Sequence, residues 1–245
     1  MDARVKLVLT LAFIVAVSLT PHGAWAAFPL FLSLTLSVAL LSDLGIVFVL
    51  SRSLIAVPFA LAAVTAVFAR PGEPLFSCSL LGWQLTATDQ GLVAFASIML
   101  KSWLSVQMAT LLAATTSFPD LLRAMRALRV PRVLTAIALL MYRYIFVLVD
   151  EAARLQRARD ARSADPDGRG GGTVAWRAQV LGGMVGNLFV RSYERSERVY
   201  AAMLSRGYKG ELLTLDRPPL RGKDLFIAAA FVGFLLLILL VAIVI

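Results

Sequence analysis

The last 21 residues, Leu225–Ile245, contain no charged side chain. A helix of about 20 apolar residues spans a hydrocarbon core of about 30 Å, so this run specifies a membrane helix more firmly than any other stretch of the chain. The rest of the sequence agrees. Hydrophobic residues make up 59% of the 245 and charged residues 16%, and the mean hydropathy is +0.80. A soluble domain of this size has no interior large enough for so much apolar surface. The expected fold class is therefore an all-α integral membrane protein. Yet 24 Lys and Arg stand against 15 Asp and Glu, a formal charge of +9. Such a balance suits nucleic acid, anionic lipid or a basic cytoplasmic face, and the position of the charge decides among them.

Residues 119–223 hold 19 of the 24 basic and 10 of the 15 acidic side chains, an excess of +9 that equals that of the whole chain. The other 140 residues hold five of each and balance. Three segments follow: an N-terminal transmembrane bundle over 1–117, a basic cytoplasmic segment over 118–222, and a C-terminal transmembrane helix over 223–245. Nucleic acid is a poor partner for a basic segment set between membrane spans.

Four apolar spans are expected in the first segment. Leu7–Leu19 follows Arg4 and Lys6 and stops at Pro21-His22-Gly23. Ala24–Leu41 follows, with Pro29 expected to kink it near its start. Leu44–Phe68 is interrupted at Ser51-Arg52-Ser53, so Leu54–Phe68 is the expected crossing, with Arg52 at the inner surface. A polar loop runs from Arg70 to about Asp89, and Gly91–Ala114, which contains Lys101, is the fourth span. The start of the chain also fits a cleavable signal peptide ending near Ala24-Trp25-Ala26. We read it as a first membrane helix.

Val133–Val149 invites a fifth span in this half, and charge placement opposes it. Arg123, Arg126, Arg129 and Arg132 precede it, and Arg154, Arg157, Arg159 and Arg162 follow. A crossing there puts one cluster outside, against the positive-inside rule. It also places Arg143 near mid-bilayer, at a cost of about 3 kcal/mol. Four spans that start and end inside leave the whole basic segment cytoplasmic, and the last span then ends outside. Pro131–Ala164 is accordingly expected as one long interfacial-to-cytoplasmic helix, with Asp150 and Arg154 as an i,i+4 pair. The run Asp165-Pro166-Asp167-Gly168-Arg169-Gly170-Gly171-Gly172 ends it. A second long helix is expected from Thr173, a candidate N-cap, to Arg206, with Glu194/Arg198 repeating the ion pair. Gly207 suits its terminator. Ala178, Gly182 and Gly186 recur at i, i+4 and i+8, a spacing that lets another helix approach closely, and the two long helices are expected to pack there. A short amphipathic helix capped by Ser117 or Asp120, with Leu121, Leu122, Met125 and Leu128 on one side, precedes both.

Each long helix ends in a small–Arg–small tripeptide, Ala161-Arg162-Ser163 and Ser205-Arg206-Gly207. An arginine between small neighbours can enter a groove that bulkier neighbours would block, and its planar fork can bind carboxylates or carbonyls at the bottom. An arginine at a helix end also simply favours the helix dipole. From spacing alone the second role is the commoner one, and the duplication is what raises the first.

Here the sequence resembles a known family, the transmembrane coupling (T) component of energy-coupling factor transporters, in its cobalt/nickel branch (CbiQ/NikQ-like). The resemblance is carried by Thr115-Thr116-Ser117-Phe118-Pro119-Asp120-Leu121-Leu122, Val130-Pro131, Arg143-Tyr144-Ile145, Glu151 to Ser163, Arg191-Ser192-Tyr193-Glu194-Arg195, and Val199 to Tyr208. It implies a multi-subunit importer. Two ATP-binding-cassette ATPases close on ATP, and the T subunit passes that motion to a membrane-embedded substrate-binding subunit. A small accessory membrane subunit is a further candidate partner. ATP belongs to the ATPases, so no cofactor is expected in this chain and no catalysis. The resemblance maps ATPase-coupling motifs onto Ala161, Arg162, Ser163, Ser205, Arg206 and Gly207. It implies cobalt as cargo, with nickel next, and a bacterial cytoplasmic membrane as the location.

The remaining chemistry is sparse. The chain has one Cys, Cys78, and one His, His22. No disulfide within the chain and no His/Cys metal site can be assembled from them. No P-loop motif is present, and no triad forms around a lone histidine. Lys101 is either a functional charge in the membrane or a lysine that snorkels or faces a helix partner. Arg143 is read as structural, near headgroups or Glu151. Met99, Met108, Met125, Met141, Met184 and Met203 suit adaptable packing. The competing reading, a stand-alone channel or secondary carrier, needs a polar pathway, and the spans offer only Lys101 and scattered Ser and Thr. A membrane enzyme lacks an acid–base constellation.

Overall fold

A computed structural model of the chain describes residues 1–42, 44–54, 58, 64–65, 74–80, 83–162, 173–210 and 222–244. Among these, eight helices and one two-stranded hairpin are formed: α1 (Ala3–Leu19), α2 (Ala27–Leu41), α3 (Ile46–Ser53), β1 (Pro74–Leu80), β2 (Trp83–Thr88), α4 (Asp89–Thr115), α5 (Phe118–Ala127), α6 (Arg132–Asp160), α7 (Val174–Ser205) and α8 (Gly222–Val244). The fold is that of an all-α membrane protein with a hairpin inserted where the sequence reads as a polar loop. The strands are antiparallel, with Cys78 opposite Leu85 and an irregularity between Pro74 and Phe76. Two compact units result, Met1–Ala124 with Pro218–Ile245, and Met125–Arg217.

Local chemistry explains the helix starts. The Asp2 carboxylate accepts from Arg4 N at 3.0 Å and opens α1. Thr88 does the same for α4 through Gly91 N at 3.2 Å, and Asp89 adds a negative charge to that first turn. Pro29 is the third residue of α2. Its missing N–H falls among the donors that have no partner inside the helix, so no kink is required there. Ser51, Arg52 and Ser53 form the last residues of α3, which ends there with Leu54 as its C-cap, and Arg52 lies 5.6 Å from the centroid of the Phe48 ring. The expected crossing Leu54–Phe68 falls mostly outside the described residues.

The core of the first unit gathers Phe13 and Val17 of α1, Phe28 and Phe31 of α2, Leu104, Met108 and Leu111 of α4, and Leu235 and Ile238 of α8. Phe13 and Phe31 meet edge to face at 5.5 Å. α1 packs as a full member of the bundle. In lipid, apolar burial gives little preference for one helix partner over another, so packing and interhelical hydrogen bonds carry the specificity. α4 supplies most of those bonds. Ser97 Oγ accepts from Gly23 N at 3.2 Å. Trp103 Nε1 donates to Ser53 Oγ at 2.8 Å. Thr35 Oγ1 and Gln107 Oε1 lie 3.2 Å apart, both side chains almost fully buried.

Two lysines bind α1 and α4 reciprocally. Lys101 Nζ donates to Thr20 O at 2.5 Å and to Ser18 O at 3.3 Å, where the last carbonyls of α1 lack helical partners. Lys6 Nζ donates to Thr115 O, at the end of α4, at 3.0 Å. Each cation meets the negative end of the other helix dipole. Fourteen residues separate Lys6 from Thr20 and Lys101 from Thr115. The two stretches match at about 21 Å each, and the helices must run antiparallel. Asp2 N donates to Asp224 Oδ2 at 3.2 Å. The end of α4 and the start of α8 therefore lie at the same end of the bundle.

Candidate coupling site

The second unit is built on α6 and α7. Pro131 stands at the N-cap of α6, φ −50°, and its carbonyl accepts from Leu134 N and Thr135 N at 3.1 and 3.3 Å. Thr173 caps α7, its side chain accepting from Trp176 N at 3.3 Å. The helices have 29 and 32 residues, or about 44 and 48 Å. They meet over a short stretch only. Two helices of that length lying side by side would touch along most of it, so these two cross.

The crossing is pinned by one carboxylate. Glu151 accepts from Arg191 Nη1 at 3.0 Å across the two helices and from Arg154 Nη2 at 2.8 Å one turn on. The Arg191 hydrogen bond, with Arg154 second, holds the Glu151 carboxyl below the usual carboxylate range. The sequence placed this ion pair on Asp150 with Arg154, at i,i+4. The structure uses Glu151, at i,i+3, because that side chain faces α7. Arg143, a candidate partner for Glu151, is not among the groups that bond it. Glu194 and Arg198 are 3.9 Å apart and both well exposed, a loose surface pair.

Ala161 and Arg162 of the first tripeptide, and Ser205, Arg206 and Gly207 of the second, follow this crossing in the chain. At the end of α7, Tyr208 N donates to Met203 O at 3.0 Å and Gly207 N to Leu204 O at 2.9 Å. That bond pair is a Schellman motif. It demands a left-handed residue at its C′ position, filled here by Gly207 at φ +82°. The glycine in Ser205-Arg206-Gly207 is thus required by the helix stop. Arg206 at the C-cap, Ser205 and Gly207 are all exposed. At the end of α6, Ala161 N donates to Arg157 O at 3.0 Å and Arg162 N to Arg159 O at 2.9 Å. Ala161 and Arg162 are exposed, and Ser163 lies outside the described residues. Eleven residues separate Glu151 from Arg162 and fifteen separate Arg191 from Arg206, distances along the helices of about 17 and 22 Å.

Ala178, Gly182 and Gly186 are not where α6 and α7 meet. All three are exposed, and a Cβ added at Gly182 or Gly186 would touch nothing within 4 Å. The small-residue spacing marks a surface of α7 that stays open in this chain. It is flanked by exposed Leu181, Val185, Phe189 and Val190, and α6 exposes Val133, Ile137, Met141, Ile145 and Val149 at intervals of four. Among the described residues no cluster of three or more His, Cys, Asp or Glu side chains has the geometry to hold a metal ion.

The family described as CbiQ, cobalt transport protein, matches residues 1–215 of this sequence. The chain belongs to the CbiQ family. It is 29% identical over 229 residues to an uncharacterised protein of Methanocaldococcus jannaschii, covering 91% of this chain and 75% of that protein. It is 32% identical over 133 residues to the cobalt transport protein CbiQ of Rhodobacter capsulatus, about half of each chain at 53% and 51%. It is 28% identical over 222 residues to the energy-coupling factor transporter transmembrane protein EcfT of Lacticaseibacillus paracasei, covering 86% and 80%. As a CbiQ-family chain it is a membrane component of a transport system of the energy-coupling factor type.

Sequence reasoning missed the Glu151–Arg191 pin and the Lys6/Lys101 exchange. Each joins residues 40 or more positions apart, and no local spacing signals such a pair. A lysine inside an apolar span was the one available sign for the second.

Proposed function

We propose that this chain is the transmembrane coupling subunit of an ATP-driven importer whose cargo is a transition metal ion, cobalt first and nickel next. Arg162 and Arg206 would engage grooves on two ATP-binding-cassette ATPases. The open apolar faces of α6 and α7 would meet a membrane-embedded substrate-binding subunit, which would hold the metal. The observation that carries this reading is the exposure of both arginines at the far ends of two long helices fastened to each other at one crossing. A push on either end then moves the pair as a lever, rather than bending a single helix.

Topology supports the same reading. Residues 116–221 leave the bundle and return to it at one end, so they cross the bilayer an even number of times or not at all. α6 is one of three described helices long and apolar enough to cross. A crossing by α6 would require another to return, and α7 carries Arg177, Arg191, Glu194, Arg195, Glu197 and Arg198. Both helices are best placed on one face of the membrane. The positive-inside rule makes that face the cytoplasm of a bacterial inner membrane and puts the C-terminus outside.

The test is charge reversal in the assembled transporter. Arg162→Glu with Arg206→Glu should abolish co-purification of the ATPases and metal uptake while the chain still inserts. Normal uptake by the double variant would sink the reading. An affinity pull-down from native membrane should recover the ATPases with an integral metal-binding subunit.

A further inference from the structure

The turn between α5 and α6 holds the one unusual backbone residue among those described. Arg129 has φ +68°, whereas the other described positive-φ residues are Gly23, Gly45, Gly207 and Gly210. Its position is set by a second Schellman motif, with Val130 N donating to Met125 O at 3.2 Å and Arg129 N to Arg126 O at 3.3 Å. Arg129 thus occupies in α5 the place that Gly207 occupies in α7. A Cβ in the left-handed region crowds the following carbonyl, and glycine removes that crowding. Strain held at a single exposed side chain points to a use for that side chain.

The surroundings say what the use is. α4, a membrane-spanning helix, ends at Thr115, and Ser117 caps α5, accepting from Asp120 N at 3.4 Å. α5 therefore starts three residues beyond the end of a membrane-spanning helix, and the turn follows its ten residues. Asp120 pairs with Arg123 and is the sole acid between residues 118 and 134, against Arg123, Arg126, Arg129 and Arg132. Next to the arginines, Leu128, Val133 and Leu134 are 44%, 59% and 58% exposed. Exposed apolar anchors beside an excess of positive charge form the signature of a surface that sits in an anionic leaflet.

We propose that the α5–α6 turn is a binding site for anionic lipid headgroups centred on Arg129, whose guanidinium takes a headgroup phosphate while Leu128, Val133 and Leu134 insert into the acyl boundary. A protein partner is the weaker occupant, because an anionic leaflet offers both the phosphate charge that suits Arg129 and the acyl boundary that suits the exposed Leu128, Val133 and Leu134.

The full chain, purified in mild detergent, tests this by native mass spectrometry of retained lipid and by thermal unfolding with added phosphatidylglycerol or phosphatidylcholine. The wild type should retain phosphatidylglycerol preferentially, and salt should weaken the preference. Arg129→Gly and Arg129→Asn, both tolerant of the left-handed backbone, should retain about fivefold less, as expected for one basic residue at an anionic surface. Arg129→Gly should melt no lower than wild type in detergent alone, because it relieves the backbone. Arg129→Lys should keep most of the preference. Equal retention of phosphatidylglycerol by wild type and both neutral variants would overturn the site. So would stabilisation by inorganic phosphate that matches phosphatidylglycerol and is lost in the same variants, since that pattern describes a soluble-anion site.

Discussion

The two units of this chain solve opposite problems with the same element. In the bundle, polar side chains of α4 turn inward and find partners on α1, α2 and α3. In the second unit, α6 and α7 touch at one crossing and leave long apolar faces uncovered. The bundle is closed by internal chemistry and the second unit is left open. In the proposed complex other subunits would cover that surface. The difference shows that an apolar stripe need not be covered within the chain: α6 exposes Val133, Ile137, Met141, Ile145 and Val149.

Four measurements would break or sharpen this contrast. The largest effect is expected inside the bundle. Lys101→Met removes the α4 ammonium that donates to the Ser18 and Thr20 carbonyls at the end of α1, at a cost of about 2 kcal/mol for charge-assisted bonds. Thermal unfolding of the purified chain should show it as a clear fall in midpoint, and an unchanged midpoint would remove the reciprocal-lysine account.

The open surface should behave in the reverse way. Gly186→Leu, placed where a Cβ meets nothing within 4 Å, should leave the isolated chain's stability unchanged. It should weaken recovery of the membrane-embedded partner in the assembled complex. Loss of stability in the isolated chain would show that this face is already packed.

A smaller effect is expected at the crossing. Glu151 has its carboxyl pKa lowered by Arg191 and then Arg154. A lowered carboxyl contributes above its unfolded value, near 4.3, and the contribution fades as pH falls through the folded value. Spin labels on α6 and α7 should report a constant distance through neutral pH and a broadened one in acid below the ordinary carboxylate range. Glu151→Gln should be broadened already at neutral pH. Because Arg154 and Arg191 are 58% and 53% exposed, screening by salt should soften the pin.

The smallest change is Gly207→Ala. It puts a Cβ at φ +82°, worth about 1 kcal/mol of local strain. The end of α7 should fray in hydrogen exchange at Tyr208 while the rest of the helix is unaffected. Gly207→Asn should be milder.

Much of this was legible in the residues. Thr173, Pro131 and Gly207 marked helix ends because caps are local chemistry. The uncharged tail and the crowding of charge into residues 119–223 were plain from composition, because a bilayer rejects charge wherever it falls. The candidate site was legible as far as Arg162 and Arg206 at helix ends. Which acid pairs with Arg154 was not, since Asp150 and Glu151 differ only by the direction each side chain takes around α6. Nor was the fate of Ala178, Gly182 and Gly186, because small residues permit close approach without naming what approaches.

The sequence by itself determined that this chain lives in a membrane, where its charge collects and where its long helices stop. These follow from solvation and backbone geometry, which act residue by residue. Only the tertiary structure decided that Lys6 and Lys101 close each other's helix, that Glu151 fastens α6 to α7, and that the small-residue face stays open. Those outcomes depend on which groups meet after folding, and two distant residues carry no mark of their meeting until the helices between them are laid down.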